Sequence, residues 1–174
     1  MTVVLRTAKD LDLAEIGALH FRSRAAAYAH FLPPHALSYG SPEALGEWWS
    51  ERWKWEQDDH RLTVAVDTDR VVGFTYLGPD DEPGVMLLSA IHVDPDYVGG
   101  GVGKLLMRDA LEHLGDRAVL WVLERNDRAR RFYERGGWVA DGAFRDEMMG
   151  GVPTHQLRYT HRTGPAEPWP EPQP

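Results

Sequence analysis

Residues 85–104, VMLLSAIHVDPDYVGGGVGK, decide the architecture of this chain. Residues 85–93 are apolar on both alternating faces, which predicts a central strand covered on both sides. Asp94-Pro95-Asp96-Tyr97 then breaks the strand. Val98-Gly99-Gly100-Gly101-Val102-Gly103-Lys104 leads into an amphipathic helix from about Gly101 to Leu114, which Gly115 ends. Glycines in such a loop let backbone adopt positive φ and come close to a ligand. The helix start offers unpaired N–H groups and a positive dipole end, which suit a phosphate or pyrophosphate. Two readings stand side by side: a phosphate cradle, or a tight strand-to-helix turn with no ligand. Spacing excludes two familiar nucleotide loops. A P-loop needs Gly where Val98 stands and Ser or Thr where Leu105 stands. A dinucleotide fingerprint begun at Gly99 or Gly101 needs a small residue at Lys104 or Leu106.

Outward from this stretch the pattern alternates strands and helices. Residues 118–123 (AVLWVL) form another buried strand, and Asn126 or Asp127 caps a helix that runs through Arg135 and stops at Gly136-Gly137. Short strands at 138–140 and 155–159 close the fold. Upstream, residues 62–66 and 71–77 read as a hairpin around Asp67-Thr68-Asp69-Arg70. A first strand at 3–6, buried through Val3 and Leu5, precedes a helix capped by Asp10, with Leu13, Ile16 and Leu19 at helical spacing. Residues 22–31 either continue that helix or form a second piece. Ser41-Pro42-Glu43 opens a further helix, with Leu45, Trp48, Trp49 and Arg52 on one face. The expectation is an α/β (α+β) fold with a mixed, mostly antiparallel sheet and helices on both faces.

The chain has 174 residues, 43% hydrophobic, with 12 Pro and no Cys. That length suits one domain, expected over 1–162, with a core that needs no staples. The Pro-rich end, 163–174, is expected to be a disordered tail. Without Cys there is no disulfide, no thiolate metal site and no cysteine nucleophile. The eight His form no HxxxH or HExxH pattern, so no metal is expected. A net charge of −8 argues against nucleic acid as partner and mildly favours a cationic substrate. The start lacks signal-peptide features, and no apolar run approaches the roughly eighteen residues of a membrane span, so a cytoplasmic protein with no membrane partner is expected.

Two ordered blocks resemble the GCN5-related N-acetyltransferases. Val93-Asp94-Pro95-Asp96-Tyr97 leading into Gly99–Lys104 is similar to that family's cofactor loop. Residues 120–138 (LWVLERNDRARRFYERGGW) resemble its strand, Asn, Ala, Phe-Tyr-Glu and Gly-aromatic pattern. Leu5-Arg6-Thr7-Ala8 with Asp10 is similar to its opening. The resemblance spans residue 3 to about 159. It implies transfer of an acetyl group from acetyl-CoA to an amine of a small molecule or peptide, by direct attack in a ternary complex. Three departures stand out: Val98 replaces the usual Gln or Arg, Leu87 stands near where related sequences often carry a basic Glu, and Trp138 replaces Phe.

The resemblance assigns roles residue by residue. Backbone across Val98, Gly99, Gly100, Gly101, Val102, Gly103 and Lys104 faces the pyrophosphate, and Lys104 either adds charge or is a solvated helix residue. Backbone at Ile91 and Val93 pairs with the pantetheine arm as an added strand would. Tyr133 protonates the departing thiolate, and its other reading is a core aromatic. Asn126 contacts the cofactor, caps its helix, or both. The residues leave the base open: Glu124, at the end of a buried strand, acts through water or is an ordinary surface carboxylate beside Arg125; His92 is a further candidate whose other reading is a satisfied core histidine, and Ser89 offers a polar contact. The tryptophans of 48–55 fall in the segment that covers the acceptor in that family; Trp48 and Trp49 read as core, Trp53 and Trp55 stay open. A catalytically weak acyl-CoA-binding sensor is the alternative function, and a tryptophan-lined partner interface a third. A homodimer is possible.

Overall fold

The computed structural model describes residues 2–163. The expected tail lies outside the described residues from 164 on. Thr163 itself is tied down, its N–H donating to the Asp116 carbonyl at 3.2 Å. Among the described residues, seven strands form one sheet in the order β1-β2-β3-β4-β5-β7-β6. They are β1 (Val3–Thr7), β2 (Arg61–Asp67), β3 (Arg70–Pro79), β4 (Met86–Val93), β5 (Arg117–Leu123), β6 (Val139–Met149) and β7 (Val152–Arg162). Every neighbouring pair is antiparallel except β4–β5. That parallel pair registers only Met86 with Ala118 and Leu87 with Val119.

The cause of this brevity is local. Where β4 pairs with β3, Tyr76 faces Ala90 and Leu77 faces Leu88, so Ser89 is an extra residue in β4. A bulge bends and twists its strand. Here it does so next to the last β4–β5 pair, and beyond it the two strands diverge. The expected fully covered central strand is therefore only partly covered, and within β4 Leu88 alone is buried. Ala90, Ile91, His92 and Val93 are only half-buried along the opening.

Helices lie on both faces. On one face α1 (Leu13–Tyr28) and α3 (Pro42–Glu56) bring Ile16, Leu19 and Trp49 against Phe74 and Tyr76. These helices cross backbone to backbone at Gly17 and Gly46: a Cβ on Gly17 would lie 2.2 Å from the Gly46 nitrogen. Ser41 caps α3 as expected, accepting from the Ala44 N–H at 3.0 Å, and α2 (Pro34–Leu37) bridges α1 and α3. On the other face α4 (Val102–His113) packs Val102 and Leu106 on Ala65 and Val72. Phe132 and Tyr133 of α5 (Asp127–Arg135) pack on the cluster of Leu120, Trp138 and Tyr159.

Four expectations change in detail. Trp48 is exposed, and only Trp49 of that pair enters the core. Asp10 starts a short 3-10 turn rather than capping α1; Asp12 accepts from the Lys9 N–H and from Arg6 instead. The hairpin turn narrows to Thr68-Asp69, with Thr68 at φ 58°. The closing strands are eleven residues each, and β7 lies inside β6. Residues 141–149 are largely polar because β6 is an edge strand, exposed along most of its length, so its apolar signal is weak.

Candidate active site

The divergence of β4 from β5 opens a cavity of about 1190 Å³. The lip of β4, the glycine loop, the start of α5 and the C-terminal part of α1 surround it. In an antiparallel pair, successive residues direct their backbone groups to opposite edges. The Asp94 N–H donates to the Val72 carbonyl at 2.9 Å. The backbone of Val93 and Ile91 is therefore directed to the other edge, where no strand among the described residues pairs with them. An extended ligand can add there as a strand would.

The glycine loop is held from behind. Asp94, 1% exposed, accepts from the Asp96 N–H at 3.0 Å, from Arg22 of α1 at 2.8 Å and from Arg70 of β3 at 2.7 Å. Burial pushes its carboxyl up, but these donors outweigh it and hold the group below its usual range. Gly99 and Gly101 have φ of 84° and 92°, and among the described residues nothing lies within 4 Å of where their Cβ atoms would be. That open concavity faces the start of α4, whose first intrahelical bond runs from the Leu105 N–H to the Gly101 carbonyl. The N–H groups of Val102, Gly103 and Lys104 precede it and have no acceptor within the helix. Val98 and Gly100 are exposed, Val102 turns its side chain into the core, and Lys104 is exposed on the cavity wall. Val98 lines the cavity but supplies no polar side chain.

Across the opening, Asn126 is buried, lines the cavity and caps α5 by accepting from the Ala129 N–H at 3.2 Å. Tyr133, two turns into α5, also lines the cavity, and its ring packs edge-on against Phe132, Trp138 and Tyr159. Burial raises the pKa of its hydroxyl, with Tyr28 adding to the shift, so the phenol stays protonated. Glu124 is exposed at the end of β5 and is not among the residues lining the cavity.

His92 does line it. Its Nδ1 lies 3.0 Å from the Ser23 Oγ, and its ring stacks on Phe74 with centroids 5.3 Å apart. Burial first, then His20 and Arg24, push its pKa well below the usual 6.5. His20 is likewise pushed down to about 4, mainly by burial. It accepts at Nδ1 from the Trp49 Nε1–H, 3.1 Å away. Both rings are therefore neutral near pH 7.

Sequence reasoning passed over several wall residues. Arg128, Arg131 and Arg135 follow one another at i, i+3 and i+7 on α5, all exposed and all on the cavity. That spacing is readable in RARRFYER. Trp121 and Gln156 line the cavity together with Tyr28, and no linear pattern pairs β5 with β7 in advance. Among the described residues, no three His, Asp or Glu gather into a group able to hold a metal, and no helix is long and apolar enough to cross a membrane.

Comparison with known proteins agrees with this geometry. Residues 26–138 match the profile described as "Acetyltransferase (GNAT) family". A "Probable N-acetyltransferase" of Mycobacterium tuberculosis is 27% identical over 168 residues, covering 92% of this chain and 95% of that protein. A mycothiol acetyltransferase of Thermobifida fusca is 34% identical over 112 residues, covering 55% of this chain but 33% of that protein. Among solved structures, the PaiA N-acetyltransferase of Thermoplasma acidophilum in complex with coenzyme A superposes with a TM-score of 0.78. The match covers 94% of this chain and 100% of that one, at 16% identity. The chain belongs to the acetyltransferase (GNAT) family of acyl-CoA-dependent acyltransferases.

Proposed function

We propose that this protein transfers an acetyl group from acetyl-CoA to a primary amine of a small molecule or peptide, by direct attack with both bound in the β4–β5 opening. The observation that carries this is the early divergence of β4 from β5, which exposes the backbone of Ile91 and Val93 beside the glycine loop. Acetyl-CoA supplies an activated thioester. The amides of Gly99 and of Gly101 to Lys104 receive its pyrophosphate, since the Gly100 N–H is taken by the Tyr97 carbonyl at 3.1 Å and the Val98 N–H by that of Pro95 at 3.4 Å, and the arginines of α5 add positive potential around its phosphates. Ile91 and Val93 pair with its extended arm, and the Val93 N–H faces the carbonyl oxygen on which charge develops. Asn126 holds the start of α5 and contacts the arm.

As the amine nitrogen bonds to the carbonyl carbon and the carbon–sulfur bond breaks, Tyr133 gives its proton to the sulfur. His92, neutral and oriented by Ser23, takes the amine proton. It replaces Glu124 in that role because it stands on the cavity wall. Solvent then returns a proton to Tyr133 and takes away the one held by His92.

Tyr133→Phe separates this reading from a sensor that binds acyl-CoA without turnover, which Val98 and Leu87 favour. An enzyme loses about 100-fold or more in kcat while keeping its affinity for acetyl-CoA. A wild-type protein that binds acetyl-CoA but acetylates no amine above the spontaneous rate is the sensor.

A further inference from the structure

The net charge of −8 suggests a cationic partner, yet the cavity carries the opposite sign. Its charged lining side chains are Lys104, Arg128, Arg131 and Arg135, and among the described residues no carboxylate lines it. A second ammonium group brought here would be desolvated without a counter-charge, which is costly.

The wall away from the glycine loop carries a more specific feature. Gln156 of β7 lines the cavity beside Trp121 and Met149. Its Oε1 accepts from the Arg145 Nε of β6 at 2.8 Å. Arg145 in turn lies over the Trp121 ring, 4.4 Å from the centroid, with the Arg158 guanidinium 6.0 Å from that centroid. With its oxygen committed to Arg145, the Gln156 amide is oriented, and what it has left to offer a ligand is its two N–H donors. Behind it the charges are balanced: Arg158 is paired with Asp141 at 2.6 Å, and the Arg145 Nε lies 3.8 Å from Glu147. A donor pair on a cavity whose described lining holds no carboxylate matches a carbonyl or carboxylate oxygen and offers nothing to a second cation.

We propose that the acceptor is an amino-acid-type monoamine: a compound whose only cationic centre is the amine that is acetylated, and whose body presents a carboxylate or carbonyl oxygen to the Gln156 amide. Tyr28 and Trp121 supply the apolar walls for its side chain. This rests on the acetyl-transfer reading above and narrows its acceptor.

The test compares kcat/KM for L-phenylalanine, L-methionine and their amides with that for spermidine and a lysine-rich peptide, at one pH and ionic strength. The wild-type protein and Gln156→Glu are assayed together. Glutamate can still accept from Arg145, so the β6–β7 pairing is kept while the ligand donors are lost. The wild-type protein should favour the amino-acid-type amines by at least about tenfold. Gln156→Glu should reduce kcat/KM for the carboxylate acceptors by about tenfold or more and narrow the gap to spermidine. A wild-type preference for spermidine or the peptide overturns the proposal. So does turnover of no amine in the panel, or a Gln156→Glu protein with an unchanged acceptor profile. Acetyl-CoA affinity, measured on both proteins, separates the failures: its absence sinks the transferase reading itself, whereas intact affinity with the wrong acceptor profile sinks this proposal alone.

Discussion

The Nδ1 of His92 lies 3.0 Å from the Oγ of Ser23, a contact between β4 and α1 that spans 69 residues of chain. It fixes an imidazole on the cavity wall beside the exposed edge of β4. Burial, His20 and Arg24 keep the ring neutral and make it a weak base, so it takes a proton only from the amine nitrogen as that nitrogen turns acidic on bonding to the carbonyl carbon. His92→Gln is expected to reduce kcat by about 100-fold with acetyl-CoA affinity retained, and Ser23→Ala by several-fold. Because the folded-state pKa of His92 is depressed, kcat/KM should rise with pH along the ionisation of the acceptor amine. A pH–rate profile with a separate inflection near 6.5 would contradict this.

Asp94 is the brace of the glycine loop, joined at one oxygen to both Arg22 and Arg70. Asp94→Asn keeps an acceptor for the Asp96 N–H but removes the charge. Both arginines are nearly half exposed, so water compensates part of the loss. A destabilisation of about 1–3 kcal/mol is expected in urea unfolding. Acetyl-CoA affinity should fall several-fold as well, since the loop loses its support. Unchanged affinity with reduced stability would make the brace purely structural.

The arginines of α5 give a salt signature. Affinity for acetyl-CoA should weaken as ionic strength rises. In the combined Arg128→Ala, Arg131→Ala, Arg135→Ala protein the affinity should be lower and its dependence on salt shallower. Titrations at two salt concentrations check this, and parallel salt dependences in the two proteins would remove these residues from the phosphate site.

Stability should fall with acid in a defined window. The pKa of His20 is near 4 in the folded state and near 6.5 when unfolded. A depressed histidine stabilises the fold fully above its unfolded value, and that contribution is lost as pH drops from about 6.5 to 4. The shift corresponds to roughly 3 kcal/mol from His20, and His92 adds in the same direction. Denaturant unfolding at pH 7 and pH 5 measures the slope, and His20→Gln should flatten it.

The strand–glycine–helix succession at 85–114 was legible because its signals are local: two-sided apolarity, Gly at positive φ and an amphipathic repeat. Asn126 and Tyr133 were readable in the same way, as a cap and a residue one turn past Ala129. The length of β6 was not, since an edge strand has no apolar face to announce it. Trp48 and Trp49 are indistinguishable by composition, and one step of about 100° around α3 sends one to the core and the other to solvent. The Ser89 bulge, the His20–His92–Ser23 cluster and the Gln156–Arg145 pair depend on register between distant strands and helices. Glu124 drew notice through its neighbour Asn126, yet it stands in the turn just past β5 with its side chain in solvent rather than on the cavity.

The most direct test of the central claim is calorimetric titration of acetyl-CoA into the wild-type protein and into Gly101→Val. Gly101 sits at positive φ facing open space, so the branched side chain both strains the turn and fills the concavity. Saturable one-to-one binding at micromolar affinity, lost or strongly weakened in Gly101→Val, is the predicted result. No binding at millimolar acetyl-CoA, or binding that Gly101→Val leaves unchanged, would contradict the placement of the acyl donor against this loop.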